Sequence, residues 1–427
     1  MMSKFRTKPL GYGASTGALS RRLFLQAAGS TAITATALAR AGSVFAQPAI
    51  TQPAITPFAY RAPQAALDDL KQRLARARWP ERETVTDWSQ GVPLGKLRAL
   101  VEYWQNGYDW RRCENTLNGF AQYQTRIDGL SIHFLHVRSS HPKALPVIIT
   151  HGWPGSVIEF LKVIEPLTNP TAHGGRAEDA FHVIAPSLPG FGFSDKPSER
   201  GWNADRIARA WAELMRRLSY DRYVAQGGDW GALVTTRLAQ QRPSGLAAIH
   251  LNFPQVISDP VPVPQSPDEQ RAVDALARFQ AEDFGYYQLQ MTRPQTVGYA
   301  LADSPVGLAA WIYEKFRFWS DNDGDPEQAL TRDEMLDDIT LYWLTNTAAS
   351  SARMYFENGF TPASRVELPV GCSIFPGEIF RAPRSWAARF YPNLIHWNEL
   401  DRGGHFAAFE EPDLFTKELR DCFRHLR

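Results

Sequence analysis

From residue 123 to residue 137, apolar and polar side chains alternate on either side of Asp128-Gly129, the pattern of two half-buried strands joined by a tight turn. Further along, the alternation gives way to unbroken apolar stretches. Val147-Ile148-Ile149-Thr150 is one, rich in β-branched residues as befits a strand buried on both faces. Comparable runs stand at residues 181–185, 223–226, 248–252, 370–375 and 394–398. Between them the apolar spacing becomes helical, most clearly over residues 204–218. Strand and helix in alternation predict an α/β fold with a mostly parallel central sheet.

Two regions break the alternation. Residues 57–119 read as helical and loop-rich, with Leu67, Leu70, Leu74 and Ala75 at helical spacing, and likewise Leu97, Leu100, Val101 and Trp104. The aromatics Tyr103, Trp104, Tyr108 and Trp110 would anchor this segment onto a larger body. The second break runs from Pro254 to about Pro362. It opens with Val261-Pro262-Val263-Pro264 as a linker and continues helical and rich in aromatics, where a lid would cover the sheet's carboxyl edge. The expected organisation is a leader over residues 1–46, an N-terminal region over 47–121, core over 122–255, lid over 256–362 and core again over 363–427.

The leader carries a twin arginine, Arg21-Arg22, ahead of a mildly apolar run over residues 27–44, and then Val44-Phe45-Ala46 with small residues for cleavage. The three regions in order resemble a bacterial twin-arginine export signal, so cleavage after Ala46 and a periplasmic or secreted enzyme are expected. Arg40 and the many Ser, Thr and Gly residues make that run a poor membrane span. Lys and Arg number 46 against 45 Asp and Glu, a net charge of +1 without any basic run, which argues against a nucleic-acid partner. The three cysteines, Cys113, Cys372 and Cys422, form no zinc or redox pattern; export would permit one disulfide among them, with three buried free thiols as the default reading. The sequence leaves open whether the chain forms a homo-oligomer.

Chemistry concentrates at Gly227-Gly228-Asp229-Trp230-Gly231, between a predicted strand and a helical pattern over residues 232–239. Small residues around a central nucleophile are what a sharp strand-to-helix elbow needs. A carboxylate there attacks an sp³ carbon and becomes an ester that water must later cleave, so Asp229 points to ring opening or halide displacement. The second step needs a base, and His405 in Arg402-Gly403-Gly404-His405-Phe406 follows the last predicted strand. A carboxylate must orient that base. Glu378, set among apolar residues after the penultimate strand, is the first candidate, with Glu399 and Asp401 as runners-up. Backbone donors for an oxyanion would come from Trp153, in His151-Gly152-Trp153-Pro154-Gly155-Ser156, and from Trp230. The turn at Pro154 would suit a cis bond. Gly190-Phe191-Gly192 lacks the rest of a dinucleotide fingerprint and reads as wall and turn. His133, His136 and His250 lie in strand patterns and read as structural.

These motifs resemble the microsomal-type epoxide hydrolases and their juvenile hormone epoxide hydrolase relatives over nearly the whole chain from Pro57 onward. His-Gly-Trp-Pro-Gly-Ser, Gly-Gly-Asp-Trp-Gly, the Arg402 to Glu410 stretch and residues 303–311 carry the likeness. The resemblance implies an α/β-hydrolase fold with Asp229 as nucleophile, His405 as base and Glu378 as its acid. It also implies two lid tyrosines on the oxirane oxygen, Tyr286 and Tyr355, with the adjacent Tyr287 as an alternative to the first. The implied reaction converts a small apolar epoxide and water to a vicinal diol, with no cofactor and no metal. Two other readings remain: a haloalkane or haloacid dehalogenase using the same Asp229, and an exported ligand-binding protein on the same scaffold. Lid phenols argue against the first, since a halide leaves and needs no such donor. The full Asp229, Glu378 and His405 set argues against the second.

Overall fold

The computed structural model describes residues 54–427. The export signal expected around Arg21-Arg22 and its cleavage site at Ala46 lie outside them. One nine-stranded sheet runs through the described residues in the order β1-β2-β3-β5-β4-β6-β7-β8-β9. The strands are β1 (Thr56–Phe58), β2 (Gln122–Ile127), β3 (Leu130–Val137), β4 (Leu145–Thr150), β5 (Phe181–Pro186), β6 (Tyr223–Gly227), β7 (Leu246–Leu251), β8 (Val370–Ile374) and β9 (Leu394–Glu399). Pairings among β4 to β9 are all parallel, while β1, β2 and β3 add an antiparallel edge. This is the mostly parallel sheet of an α/β-hydrolase.

The β2–β3 hairpin turns on Asp128 and Gly129, with φ of 48° and 86°. Two consecutive left-handed residues are what a two-residue turn needs to match strand twist, and an Asp-Gly pair tolerates them. The structure corrects the helical and loop-rich reading of the N-terminal region at one point. Its first residues form β1, antiparallel to β2. Three residues are too few to show a period; Phe58 holds the strand down through ring contacts with His133 and Phe193, at 5.0 and 5.3 Å.

Helices α1 (Gln64–Ala75), α2 (Leu94–Asn106) and α3 (Trp110–Asn118) precede the hairpin. Between β7 and β8 lies a helical layer from Pro267 to Asn358. The N-terminal region is fastened to that layer by polar contacts in a buried seam against its helix Arg332–Thr345. Trp104 Nε1 donates to Thr340 Oγ1 at 2.9 Å, and the Tyr108 hydroxyl to Asp337 at 2.7 Å. Arg112 reaches both Asp337 oxygens at 2.7 and 2.8 Å. Burial pushes the Asp337 carboxyl up to about 6, although Arg112 and Tyr108 pull the other way.

Several polar residues prove structural. His133 is fully buried between Ser187 Oγ and Gln122, each 2.9 Å from a ring nitrogen, and burial drives its pKa down to about 3. His250, 2.9 Å from Ser373 Oγ, is pushed down to about 3 by burial and by His396. His136 contacts the Tyr220 hydroxyl at 2.8 Å. Cys113, Cys372 and Cys422 are buried free thiols. No helix among the described residues is long and apolar enough to cross a membrane.

Candidate active site

Strand β6 enters the elbow fully buried, and the helix Asp229–Gln241 leaves it with Gly228 as N-cap. Asp229 has φ +48°, a left-handed conformation that costs a non-glycine residue about 1–3 kcal/mol and holds its carboxylate clear of the turn. Tight packing enforces the bend. A Cβ on Gly231 would strike the Thr150 carbonyl, and one on Gly152 would strike the Asp229 side chain itself.

Each Asp229 oxygen has its own neighbour. The Trp153 N–H donates to Oδ1 at 2.8 Å, from the loop that follows β4 and contains a cis Trp153-Pro154 bond. His405 Nε2 stands 3.4 Å from Oδ2. The other ring nitrogen of His405, Nδ1, lies 2.6 Å from Glu378 Oε1, which also accepts from the Ile379 N–H at 2.8 Å. A parallel bridge between Gly377 and Gly404 joins the loops after β8 and β9, which brings these two side chains together. The runners-up stand elsewhere: Glu399 accepts from Trp397 Nε1, and exposed Asp401 pairs with Arg402. Trp230 follows on the first turn of its helix, where a backbone N–H has no acceptor within the helix.

The site holds opposed electrostatic influences. Burial alone would push His405 down. The charge of Glu378, the hydrogen bonds to Asp229 and Glu378, and the charge of Asp229 outweigh it, so the pKa stands well above the usual imidazole value.

Above Asp229 lies a cavity of about 170 Å³, lined by Trp230, Leu233, Phe253, Tyr286 and Tyr355 among others. Tyr286 stacks on Trp153 with centroids 5.1 Å apart and planes 9° apart. Tyr355 stands edge-on to Trp230 at 4.7 Å and to Trp153 at 5.7 Å. Its buried hydroxyl meets no hydrogen-bond partner of good geometry, although Tyr286 is its neighbour at 5.8 Å between rings. Burial raises both phenols well above 10. For Tyr286 the charge of Asp229 adds next, and for Tyr355 the Tyr286 ring and then Asp229. Both are neutral donors at any ordinary pH. The adjacent Tyr287 differs: its hydroxyl donates to the Gly359 carbonyl at 2.9 Å.

Against known proteins, the family model "Epoxide hydrolase N terminus" matches residues 55–160, and that of the alpha/beta hydrolase fold matches residues 146–297. Epoxide hydrolase 1 of Sus scrofa is 38% identical over 86% of this chain and 88% of its own. A Stigmatella aurantiaca protein provisionally named an epoxide hydrolase is 67% identical over 87% of this chain and 86% of its own. The chain belongs to the epoxide hydrolase family. Among solved structures, the Aspergillus niger epoxide hydrolase superposes with a TM-score of 0.79 at 30% identity, over 88% of this chain and 97% of that one. The juvenile hormone epoxide hydrolase of Bombyx mori gives 0.77 at 31%, over 88% and 95%.

In this member of the epoxide hydrolase family, the sequence reading missed what lies behind Tyr286. Buried Lys315 places its ammonium 4.3 Å from the Tyr286 ring centroid and 2.5 Å from Asp283. Asp283 also accepts from Trp319 Nε1 at 2.7 Å. A lysine between Tyr313 and Phe316 in the aromatic-rich stretch Trp311 to Trp319 was the available signal, since a buried ammonium demands a partner, and Glu314 is a second one at 3.1 Å. Among the described residues, no group of three or more His, Cys, Asp or Glu side chains is placed to hold a metal ion.

Proposed function

We propose that this protein hydrolyses an apolar epoxide to a vicinal diol in two steps. Asp229 attacks one epoxide carbon from behind, and the C–O bond to the ring oxygen breaks. Tyr286 and Tyr355 donate to the developing alkoxide, one of them supplying its proton. The product is an ester between Asp229 and the opened substrate. In the second step His405 removes a proton from water, whose oxygen adds to the Asp229 Cγ. Trp153 and Trp230 N–H groups hold the resulting oxyanion. Collapse breaks the bond between Cγ and the ester oxygen, and the diol departs carrying that oxygen. One of the water's two protons ends on the departing diol through His405, and the second restores the tyrosine.

Esterification also prepares its own successor. It removes the Asp229 charge, which is one of the influences holding the His405 proton. The imidazole pKa then falls toward the range in which it serves as a base.

The observation that carries this reading is the shared cavity of the Asp229 carboxylate and two buried phenols, one without a hydrogen-bond partner. A dehalogenase has no use for such donors. Its apolar lining, including Leu233, Phe253, Ile257 and Leu276, supports an apolar substrate. A single turnover in ¹⁸O-water tests the mechanism: label should enter the Asp229 carboxylate, and label found only in the first-turnover diol would mean direct water attack. Export through the twin-arginine route is part of the proposal, supported by Arg21-Arg22 and the small residues at Ala46. N-terminal sequencing of protein recovered outside the cytoplasm should begin at Gln47; an intact leader on such protein would refute cleavage there.

A further inference from the structure

Asp229 faces two separate spaces. The large cavity holds the tyrosines but is not lined by His405. On another side lies a chamber of about 20 Å³, lined by Asp229, His405, Glu159, Gly152, Gln226 and Asn252 among others. A volume of that size holds about one water molecule, given that roughly 10–15 Å³ is the minimum. A water needs polar partners, and this wall supplies them. Gln226 is 1% exposed, and its amide donates to Asn252 at 2.8 Å while its Oε1 has no partner. A buried acceptor left open is an incomplete hydrogen-bond inventory, and water is the usual way to complete it.

Glu159 is the second unusual feature of the chamber. Its position is built with some care. Ser156 caps the short helix Val157–Phe160, and three residues after a Ser cap a glutamate ordinarily serves only as a capping partner. Here the carboxylate folds back over Gly155, where a Cβ would collide with it. The loop beneath is braced from the lid. The Tyr342 hydroxyl donates to the Gly155 carbonyl at 2.9 Å, and Ser156 Oγ to Asp338 at 2.6 Å. Burial, with help from the nearby Asp338 and Asp229, pushes the Glu159 carboxyl well above the usual carboxylate range, against the pull of His405 and the Ser156 N–H. No step described above uses it.

We propose that the chamber stores the hydrolytic water, and that Glu159 orients it between His405 Nε2 and the Cγ of Asp229. The inference rests on the two-step reading. The water waits on the base's side of the nucleophile, so it need not pass the bound substrate. Its proton moves to His405 and its oxygen bonds to Cγ, while Glu159 contacts the water and neither gains nor loses a proton overall. Glu159 is thus a positioning residue for the second step alone.

The test separates the half-reactions in Glu159→Gln and Glu159→Leu, with styrene oxide as probe. Rapid acid quench and intact-protein mass measure ester formation and decay. Alkylation should stay within about twofold of wild type, whereas ester hydrolysis in the Leu variant should fall on the order of 10²-fold, as expected for a misplaced reactant. Glu159→Gln keeps a carbonyl for the water and should lose less. Should the Leu variant not fold, the Gln variant still decides, with its ester decay slowed several-fold. Unchanged decay in the folded variants, or equal loss of both steps, would overturn the proposal. Absence of any ester in wild-type protein would instead overturn the two-step reading.

Discussion

The groups at the sheet edge and those in the lid converge on Asp229 and are held in place by different means. Asp229 opens the helix that follows β6, His405 and Glu378 stand on the loops after β9 and β8, and contacts of 2.6–3.4 Å tie the three to one another and to the Trp153 amide. Tyr286 and Tyr355 are placed by ring packing on Trp153 and Trp230, at 4.7–5.7 Å between centroids. Hydrogen bonds fix individual atoms and charges, whereas packing fixes a shape and leaves a hydroxyl free to serve the substrate. The core therefore defines the bond-making atoms, and the lid supplies an uncommitted donor.

Substitutions at the sheet edge should have the larger effects. Asp229→Ala should lower diol formation by at least about 10⁴-fold, the scale of losing a covalent nucleophile, in a steady-state assay. His405→Gln should alkylate normally yet accumulate ester, with hydrolysis reduced on the order of 10²–10⁴-fold. Accumulation of a mass equal to protein plus substrate checks it. In the lid, Tyr286→Phe and Tyr355→Phe should each slow alkylation on the order of 10²-fold, as for loss of one preorganised donor. Tyr287→Phe should change it little, because that hydroxyl is spent on Gly359. A large Tyr287→Phe effect would erase the distinction between the two neighbours.

Two smaller effects sharpen the contrast. Glu378 holds the His405 pKa up, and only the neutral imidazole accepts a proton. Glu378→Gln should therefore shift the acid limb of ester hydrolysis to lower pH while lowering its plateau; an upward shift would contradict this origin of the raised pKa. Lys315→Met leaves the half-buried Asp283 carboxylate with Trp319 Nε1 but without its ammonium, a loss of about 1–3 kcal/mol. Thermal melting should register that loss in the lid, and an unchanged Tm would show the pair to be dispensable.

The same contrast explains what could be read in the sequence. Around Asp229 and His405, steric necessity puts glycines beside the functional residue, so both stood out within five-residue windows. Glu378 was visible because a carboxylate among Phe375, Ile379 and Phe380 calls for a partner. Strands β4 to β9 announced themselves through apolar runs, and only β1 was too short to do so. The lid gave no such signal. Tyr286 and Tyr287 are identical neighbours in sequence, and only the fold shows which hydroxyl the Gly359 carbonyl has taken. Resemblance, and not spacing, singled out the tyrosine positions. Glu159 was hidden in a Ser-x-x-Glu pattern that reads as a helix cap.

The seam between Arg112, Tyr108 and Asp337 bears on traffic through the enzyme. It pins the helix Arg332–Thr345, which braces the lid without lining the cavity, to the beginning of the folded chain, so that helix cannot lift away without baring a buried carboxyl. The cavity wall itself comes from the segments on either side of that helix, where rings such as Phe284 and Phe360 stand. Bulk, more than polarity, would decide which molecules are admitted.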